Sequence, residues 1–76
     1  MILIKKSRIH KAVKTADRKG GFALLQIRSL DISFSVLNNE KHPDIQMPKM
    51  FEKEEKREVE GCEYSFFLPK GVTLEK

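Results

Sequence analysis

The most regular hydrophobic pattern of the chain lies between Gly20 and Leu37. Apolar and polar residues alternate strictly through its second half, with Leu30, Ile32, Phe34 and Val36 on one parity and Asp31, Ser33 and Ser35 on the other. A period of two places these sets on opposite faces of a pleated strand. The first half repeats the alternation less strictly, and the whole stretch is too long for one strand of a small domain. The pattern therefore predicts a hairpin that reverses near Ser29-Leu30-Asp31.

The N-terminal segment from Ile2 to Val13 is interpreted as a strand that bends. Ile2 and Ile4 share one parity and Ile9 and Val13 the other, which is the one-residue phase change of a β-bulge. A helical interpretation places Ile9, Ala12 and Val13 on one side, but this pattern covers little more than one turn. We expect the polar residues from Thr15 to Gly21 to connect this strand to the hairpin.

After the hairpin, the sequence predicts a loop and further short strands. Asn38–Asp44 is rich in turn formers, Ile45-Gln46-Met47 is long enough for a short strand, and Gly61–Leu68 restores the alternating pattern. Val72-Thr73-Leu74 predicts a short terminal strand. Lys49–Glu60 is highly charged and has no continuous apolar stripe, so we expect a solvated, mobile connection. The favourable i, i+4 pair of Glu52 and Lys56 is compatible with one short helical turn in it.

These elements define the predicted fold class. We expect an all-β or β-rich protein: a small, curved antiparallel meander of four to six strands that forms a single domain over residues 1–76. A chain of this size buries only about 60% of its unfolded surface. Self-association is a common supplement to such a small core, so we expect a homodimer.

Basic residues are concentrated in the N-terminal quarter of the chain. Residues 1–20 carry a net charge of +6, whereas residues 21–76 carry −2. A basic surface of this kind attracts polyanions such as nucleic acid. The alternative is a solvated strand face whose lysines discourage edge pairing. The candidate nucleic-acid-binding residues are Lys5, Lys6, Arg8, Lys11, Lys14, Arg18 and Lys19.

The sequence contains no recognisable catalytic or metal-binding constellation. Cys62 is the single cysteine, so no internal disulfide is available, and with only His10 and His42 it offers no zinc-ligand spacing. His42-Pro43-Asp44 lacks a nucleophile or a second carboxylate and is interpreted as a turn. We therefore expect a protein that is not an enzyme, with no catalytic residues, no metal and no cofactor.

The cysteine content and the N-terminal segment also bear on the compartment. A lone cysteine is typical of a reducing environment. The apolar start of the chain is interrupted by Lys5-Lys6 before a signal sequence or a membrane span forms. We expect a cytoplasmic protein that does not contact a membrane.

Aromatic residues divide between the core and the surface. Phe34, Tyr64 and Phe66 occupy the inward parity of their strands and are assigned to the core. Phe51 and Phe67 break the alternation, which makes them the candidates for exposed contact with bases.

Several short segments occur in the order known from one bacterial family. Val13-Lys14-Thr15 leads into a polar turn and the hairpin, Ser35-Val36-Leu37-Asn38-Asn39 leads to Ile45-Gln46-Met47-Pro48, and Phe66-Phe67-Leu68-Pro69 ends a strand. In these segments the chain resembles the stage V sporulation protein G family. The resemblance implies a small nucleic-acid binder that dimerises through its β-sheets.

Two main function classes follow from these observations, and an enzyme subunit that contributes to a shared site is a distant third. The first is a small nucleic-acid-binding protein that uses a basic N-terminal strand face. The second is a protein-interaction module, such as a small inhibitor or adaptor of a phage or mobile element. Its docking site is then an exposed edge strand or the segment Lys49–Glu60.

Overall fold

A computed structural model describes residues 1–45 and 50–76 of the chain. One helix and six strands follow one another, and a short 3₁₀ turn at Arg28–Leu30 separates the second and third strands. The elements in chain order are β1 (Ile2–Ile4), α1 (Lys6–Arg18), β2 (Phe22–Ile27), β3 (Ile32–Asn38), β4 (Lys53–Val59), β5 (Cys62–Leu68) and β6 (Val72–Leu74). The β-rich class is confirmed, although α1 shows that the protein is not all-β.

Two sheets make up the β structure of the described residues. The larger sheet is antiparallel with strand order β2-β3-β5-β4, and the smaller one is a parallel pair of β1 and β6. The predicted meander is therefore wrong in its connectivity. Strands β3 and β5 are neighbours although β4 lies between them in the chain, and the two ends of the chain pair in parallel.

The central hairpin is confirmed. Strands β2 and β3 pair antiparallel from Phe22–Leu37 to Ile27–Ile32, and the chain reverses through Arg28–Leu30. Asp31 closes the turn in the left-handed region at φ 53°, which aspartate tolerates better than most residues. The strands β5 and β6 also lie where the sequence predicts them.

The predicted N-terminal strand is wrong beyond Ile4. Residues Lys6–Arg18 form a helix, because its buried stripe does not stop after one turn but continues to a fourth apolar residue, Ala16. The stripe comprises Ile9, Ala12, Val13 and Ala16 at steps of three and four. The phase change attributed to a bulge is thus the junction between a strand and a helix, and only the end of the predicted polar connection lies outside the helix.

The prediction for Lys49–Glu60 is also wrong, because Lys53–Val59 forms the edge strand β4. The segment lacks an apolar stripe because two charged residues on its inner side bond to β6 instead. Arg57 donates to the carbonyl oxygens of Leu74 and Glu75, and Glu55 accepts from the Thr73 hydroxyl. The short strand predicted at Ile45-Gln46-Met47 lies largely outside the described residues, and Ile45 itself belongs to no strand.

The core lies between the large sheet and a layer formed by α1 with β1 and β6. Phe34, Tyr64 and Phe66 are buried there, which confirms their assignment to the core. Ile4 and Val72, from the parallel pair, join the same cluster. Within the described residues, no helix is long and apolar enough to cross a membrane.

Candidate nucleic-acid interface

Helix α1 is the element that organises the basic residues of the N-terminal segment. It packs on β2 and β3 through its apolar stripe, so the opposite side faces outward. Lys11, Lys14 and Arg18 follow one another at steps of three and four on that outward side, and all three are exposed. We call Lys11, Lys14 and Arg18 the crest of α1.

The remaining candidates surround the crest. Lys6 and Arg8 lie on the two flanks of the helix, Lys5 immediately precedes it and Lys19 immediately follows it. All seven predicted residues are exposed. The structure thus brings the seven together, but on a helix and not on the strand face that the sequence predicts. The i, i+3, i+7 spacing of the crest is the signal in the sequence that supports the helix.

Both ends of α1 are held by the rest of the fold. At the N-terminus, no side chain of Lys5 caps the helix, and the Lys6 N–H donates instead to Glu75 Oε1 at 2.8 Å. Glu75 is placed there because its own N–H donates to the carbonyl of Ile4. At the C-terminus, the Gly21 N–H donates to the Ala16 carbonyl at 2.7 Å, a bond that positive-φ glycines permit. These contacts at both ends fix the orientation of α1 and therefore the position of the crest.

The basic side chains of this surface are not neutralised by the residues that the structure describes. Two ion pairs occur within that part of the chain, and both involve Glu55 on the far strand β4. Neither includes one of the seven candidates. The positive charge of the seven candidates is consequently exposed to solvent and available to an anionic partner.

Asp17, the one acidic residue of the helix, is held away from the crest. Both of its carboxylate oxygens lie 3.0 Å from the Tyr64 hydroxyl, which donates to them from strand β5. Burial, followed by this contact with Asp17, raises the pKa of Tyr64 to about 12. Tyr64 therefore stays protonated at neutral pH and fixes the acid on the flank of the helix that faces β5.

On its other flank, α1 borders the edge strand β2. Arg8, Lys11 and Ala12 form one wall of a groove of about 350 Å³, and Leu25, Gln26 and Ile27 of β2 form the other, with Phe34 at the base. Arg28, also exposed, follows directly at the end of β2. Sequence reasoning missed Arg28 because it lies outside the basic N-terminal run.

The aromatic residues lie elsewhere than on the crest. Phe51 and Phe67, the candidates for exposed contact, are half-buried, and Phe67 belongs to β5 on the face of the sheet opposite α1. Phe22 is more exposed, at 38%, and lies on that same opposite face. No phenylalanine, tyrosine or tryptophan belongs to the outward side of α1.

Outside the basic surface, the chemically active side chains that the structure describes lie apart from one another or are engaged. Among the described residues, no group of three histidine, cysteine or acidic side chains is arranged to hold a metal ion. His42 is engaged with the carbonyl of Gly20 at 2.8 Å. Burial, reinforced by the charge of Glu40, raises the pKa of the Cys62 thiol, which disfavours the reactive thiolate.

Comparison with known proteins gives no relative. No family model, no curated protein and no solved structure matches this chain. The resemblance to the stage V sporulation protein G family stays a prediction.

Proposed function

We propose that this protein binds nucleic acid through the outward side of α1, as a sequence-tolerant partner of the phosphate backbone. The observation that carries the proposal is the crest of Lys11, Lys14 and Arg18. These side chains are exposed and form no ion pair with the described residues, and the single acid of the helix is held on one flank by Tyr64. Each such cation gains free energy when it displaces counterions condensed on a polyanion.

The shape of the crest favours double-stranded over single-stranded partners. An α-helix fits the major groove of B-DNA, which is about 12 Å wide. Proteins that bind single strands add aromatic side chains on which bases stack. Because the outward side of α1 carries lysine, arginine, histidine and serine but no phenylalanine, tyrosine or tryptophan, contacts to phosphates and groove edges are the main chemistry it offers.

The test is titration of a fluorescently labelled duplex of about two helical turns at several salt concentrations. Wild-type protein is compared with a crest variant, K11Q/K14Q/R18Q. The matched control is K53Q/K56Q/K70Q, which removes the same number of positive charges from β4 and the turn after β5. The two variants have equal net charge, so they separate a local footprint from a general effect of charge.

We expect the crest variant to bind at least tenfold more weakly than the control at low salt. Each phosphate that is no longer neutralised lowers the slope of log affinity against log salt by about 0.9, so the slope of the crest variant falls by up to about 2.7. Equal affinities for the crest variant and the control place the footprint elsewhere. If the wild type shows no salt-dependent binding to the duplex, the proposed nucleic-acid binding is wrong.

A protein-interaction module is the second candidate, and the edge strand β2 favours it. Within the described residues, the backbone of Phe22–Ile27 bonds to β3 on one side and to nothing on the other. Such an edge is a template for an extended segment of another protein. The segment Lys49–Glu60 is less suited to this role, because most of it forms the charged strand β4.

A further inference from the structure

The two edges of the large sheet differ in how they are protected. Natural edge strands carry charges, proline or bulges that discourage pairing with other chains. Strand β4 has the sequence KEEKREV, in which six of seven residues are charged. Strand β2 has the sequence FALLQI, without charge or proline, and pairs with β3 in unbroken register. Of these two edges, β2 is therefore the one that the described residues leave open to strand addition.

The hydrogen-bonding pattern shows which residues of β2 are available. Asn38 N donates to Gly21 O at 2.7 Å, and bonded and non-bonded pairs alternate along an antiparallel ladder. The backbone groups of Ala23, Leu25 and Ile27 therefore point toward β3. Those of Phe22, Leu24 and Gln26 point outward, which gives three residues whose donors and acceptors are directed away from the sheet.

The surroundings of this edge define the chemistry of an incoming strand. Its side chains on the helix side would enter the groove beside Arg8 and Lys11, with Arg28 at the end of β2. Its side chains on the opposite face would lie against Phe22 and Leu24, which are 38% and 56% exposed. Acidic residues suit the first position and apolar residues the second.

The same charges argue against a second copy as the occupant. Two β2 strands paired antiparallel are related by a twofold axis perpendicular to the sheet, so both α1 helices would lie on one side. Arg8 and Lys11 of each copy would then face their counterparts across the new strand pair. Like charges placed this way oppose the pairing.

We propose that the β2 edge binds an extended segment of a protein partner in which acidic and apolar residues alternate, with the acidic side chains in the groove between α1 and β2. The inference rests on the second candidate function, protein interaction, and not on nucleic-acid binding. It adds the chemical class of the partner, and it states that the acidic face of the partner strand lies toward α1 and the apolar face away from it.

The probe is the capped hexapeptide (Glu-Val)₃, equal to β2 in length, with binding measured by calorimetry. Control peptides are (Lys-Val)₃ and (Ser-Val)₃, which have the same apolar face, and an N-methylated (Glu-Val)₃ that cannot form the strand ladder. The protein variant is Leu24→Pro, which removes an outward N–H and breaks no bond to β3. Circular dichroism checks its fold.

We expect (Glu-Val)₃ to bind at least tenfold more tightly than (Lys-Val)₃, (Ser-Val)₃ and the N-methylated peptide. Leu24→Pro should weaken this binding by tenfold or more and keep the duplex affinity of the wild type, because Leu24 lies outside the basic surface. If Leu24→Pro does not fold, the N-methylated peptide tests the strand ladder instead, because it should bind the wild type at least tenfold more weakly than (Glu-Val)₃.

Three outcomes overturn the proposal. No binding of (Glu-Val)₃ at millimolar concentration removes the edge as a docking site. Tighter binding of (Lys-Val)₃ or (Ser-Val)₃ that Leu24→Pro abolishes keeps the edge but refutes the acidic partner. A dimer in sedimentation equilibrium that Leu24→Pro converts to a monomer assigns the edge to a second copy.

Discussion

The two faces of the four-stranded sheet are buried by different means. The face toward α1 carries Phe34, Val36, Tyr64 and Phe66, all buried under a helix and a strand pair. On the opposite face, Leu37, Ser35 and Ser65 are equally inaccessible, although the described elements place no helix or strand over them. The first face is a mainly apolar core with two satisfied polar groups, the Tyr64 hydroxyl and the Asn38 side-chain oxygen. Among the described residues, the second depends on its own side chains and on the bonds of the Ser65 hydroxyl to Asn39 and Glu54.

This contrast shows where the stability of this small domain resides. Burial of apolar surface is concentrated on the α1 face, so substitutions there act on the whole fold. Among the described residues, the opposite face is held by a few hydrogen bonds, whose loss acts locally and costs less. Substitutions on the two faces should therefore differ in how much free energy of unfolding they cost.

Phe34→Ala should have the largest effect. Phe34 is 2% exposed, contacts the α1 layer and forms the base of the groove beside β2. Removal of a buried phenyl ring costs about 3–5 kcal/mol, measured as the free energy of unfolding in denaturant. Leu24→Ala, on the opposite face of the same hairpin and 56% exposed, is the control and should stay within about 0.5 kcal/mol of the wild type. Similar losses for both variants contradict the contrast between the faces.

The hairpin illustrates how much of the fold the sequence predicts. A strict period of two identifies the inward residues Phe34 and Val36 because each strand position has only two orientations. The same criterion is misleading before Gly20. Ile2 and Ile4 do belong to a strand, but the shifted parity of Ile9 and Val13 resembles that of a bulge. The helical pattern is recognised only when the small residues Ala12 and Ala16 are counted as part of the apolar stripe.

Strand β4 and the basic surface show which features the sequence does not predict. Glu55 and Arg57 are directed inward by bonds to β6, which pairs with the other end of the chain, and such distant contacts leave no local pattern. Charge alone is enough to select the seven basic residues as candidates. Their arrangement around a crest depends on α1, and the flanking Arg28 is added by the turn between β2 and β3.

Titration of Tyr64 provides the second test, on the α1 face. Its pKa is about 12 in the folded protein against 10 for an ordinary tyrosine, because burial and then Asp17 disfavour the phenolate. A raised folded-state pKa means that the stabilisation is complete below pH 10 and is lost as the pH rises from 10 through 12. The loss amounts to at most about 3 kcal/mol.

The measurement is the free energy of unfolding of wild type and Tyr64→Phe between pH 8 and 12. Lysine deprotonation affects both proteins alike, so the difference between the two curves isolates the phenol. We expect the wild type to lose its advantage over Tyr64→Phe across this interval. Parallel curves would show that the hydroxyl is not buried against Asp17.

The smallest effects should come from the two buried serines of the opposite face, and they should have opposite signs. Ser65 Oγ donates to Glu54 Oε2 at 2.6 Å and accepts from Asn39 Nδ2 at 2.8 Å. Ser35 lies between Leu24 and Phe67 on neighbouring strands, is fully buried, and its Oγ has no hydrogen-bond partner among the described residues. A buried hydroxyl without a partner carries a desolvation cost of about 1–3 kcal/mol that alanine does not. Ser35→Ala should therefore gain about 1 kcal/mol in the free energy of unfolding, whereas Ser65→Ala should lose about as much. A loss of stability in both variants would mean that the Ser35 hydroxyl has a hydrogen-bond partner in solution. The polar network of the opposite face would then extend beyond the bonds of Ser65 to Asn39 and Glu54.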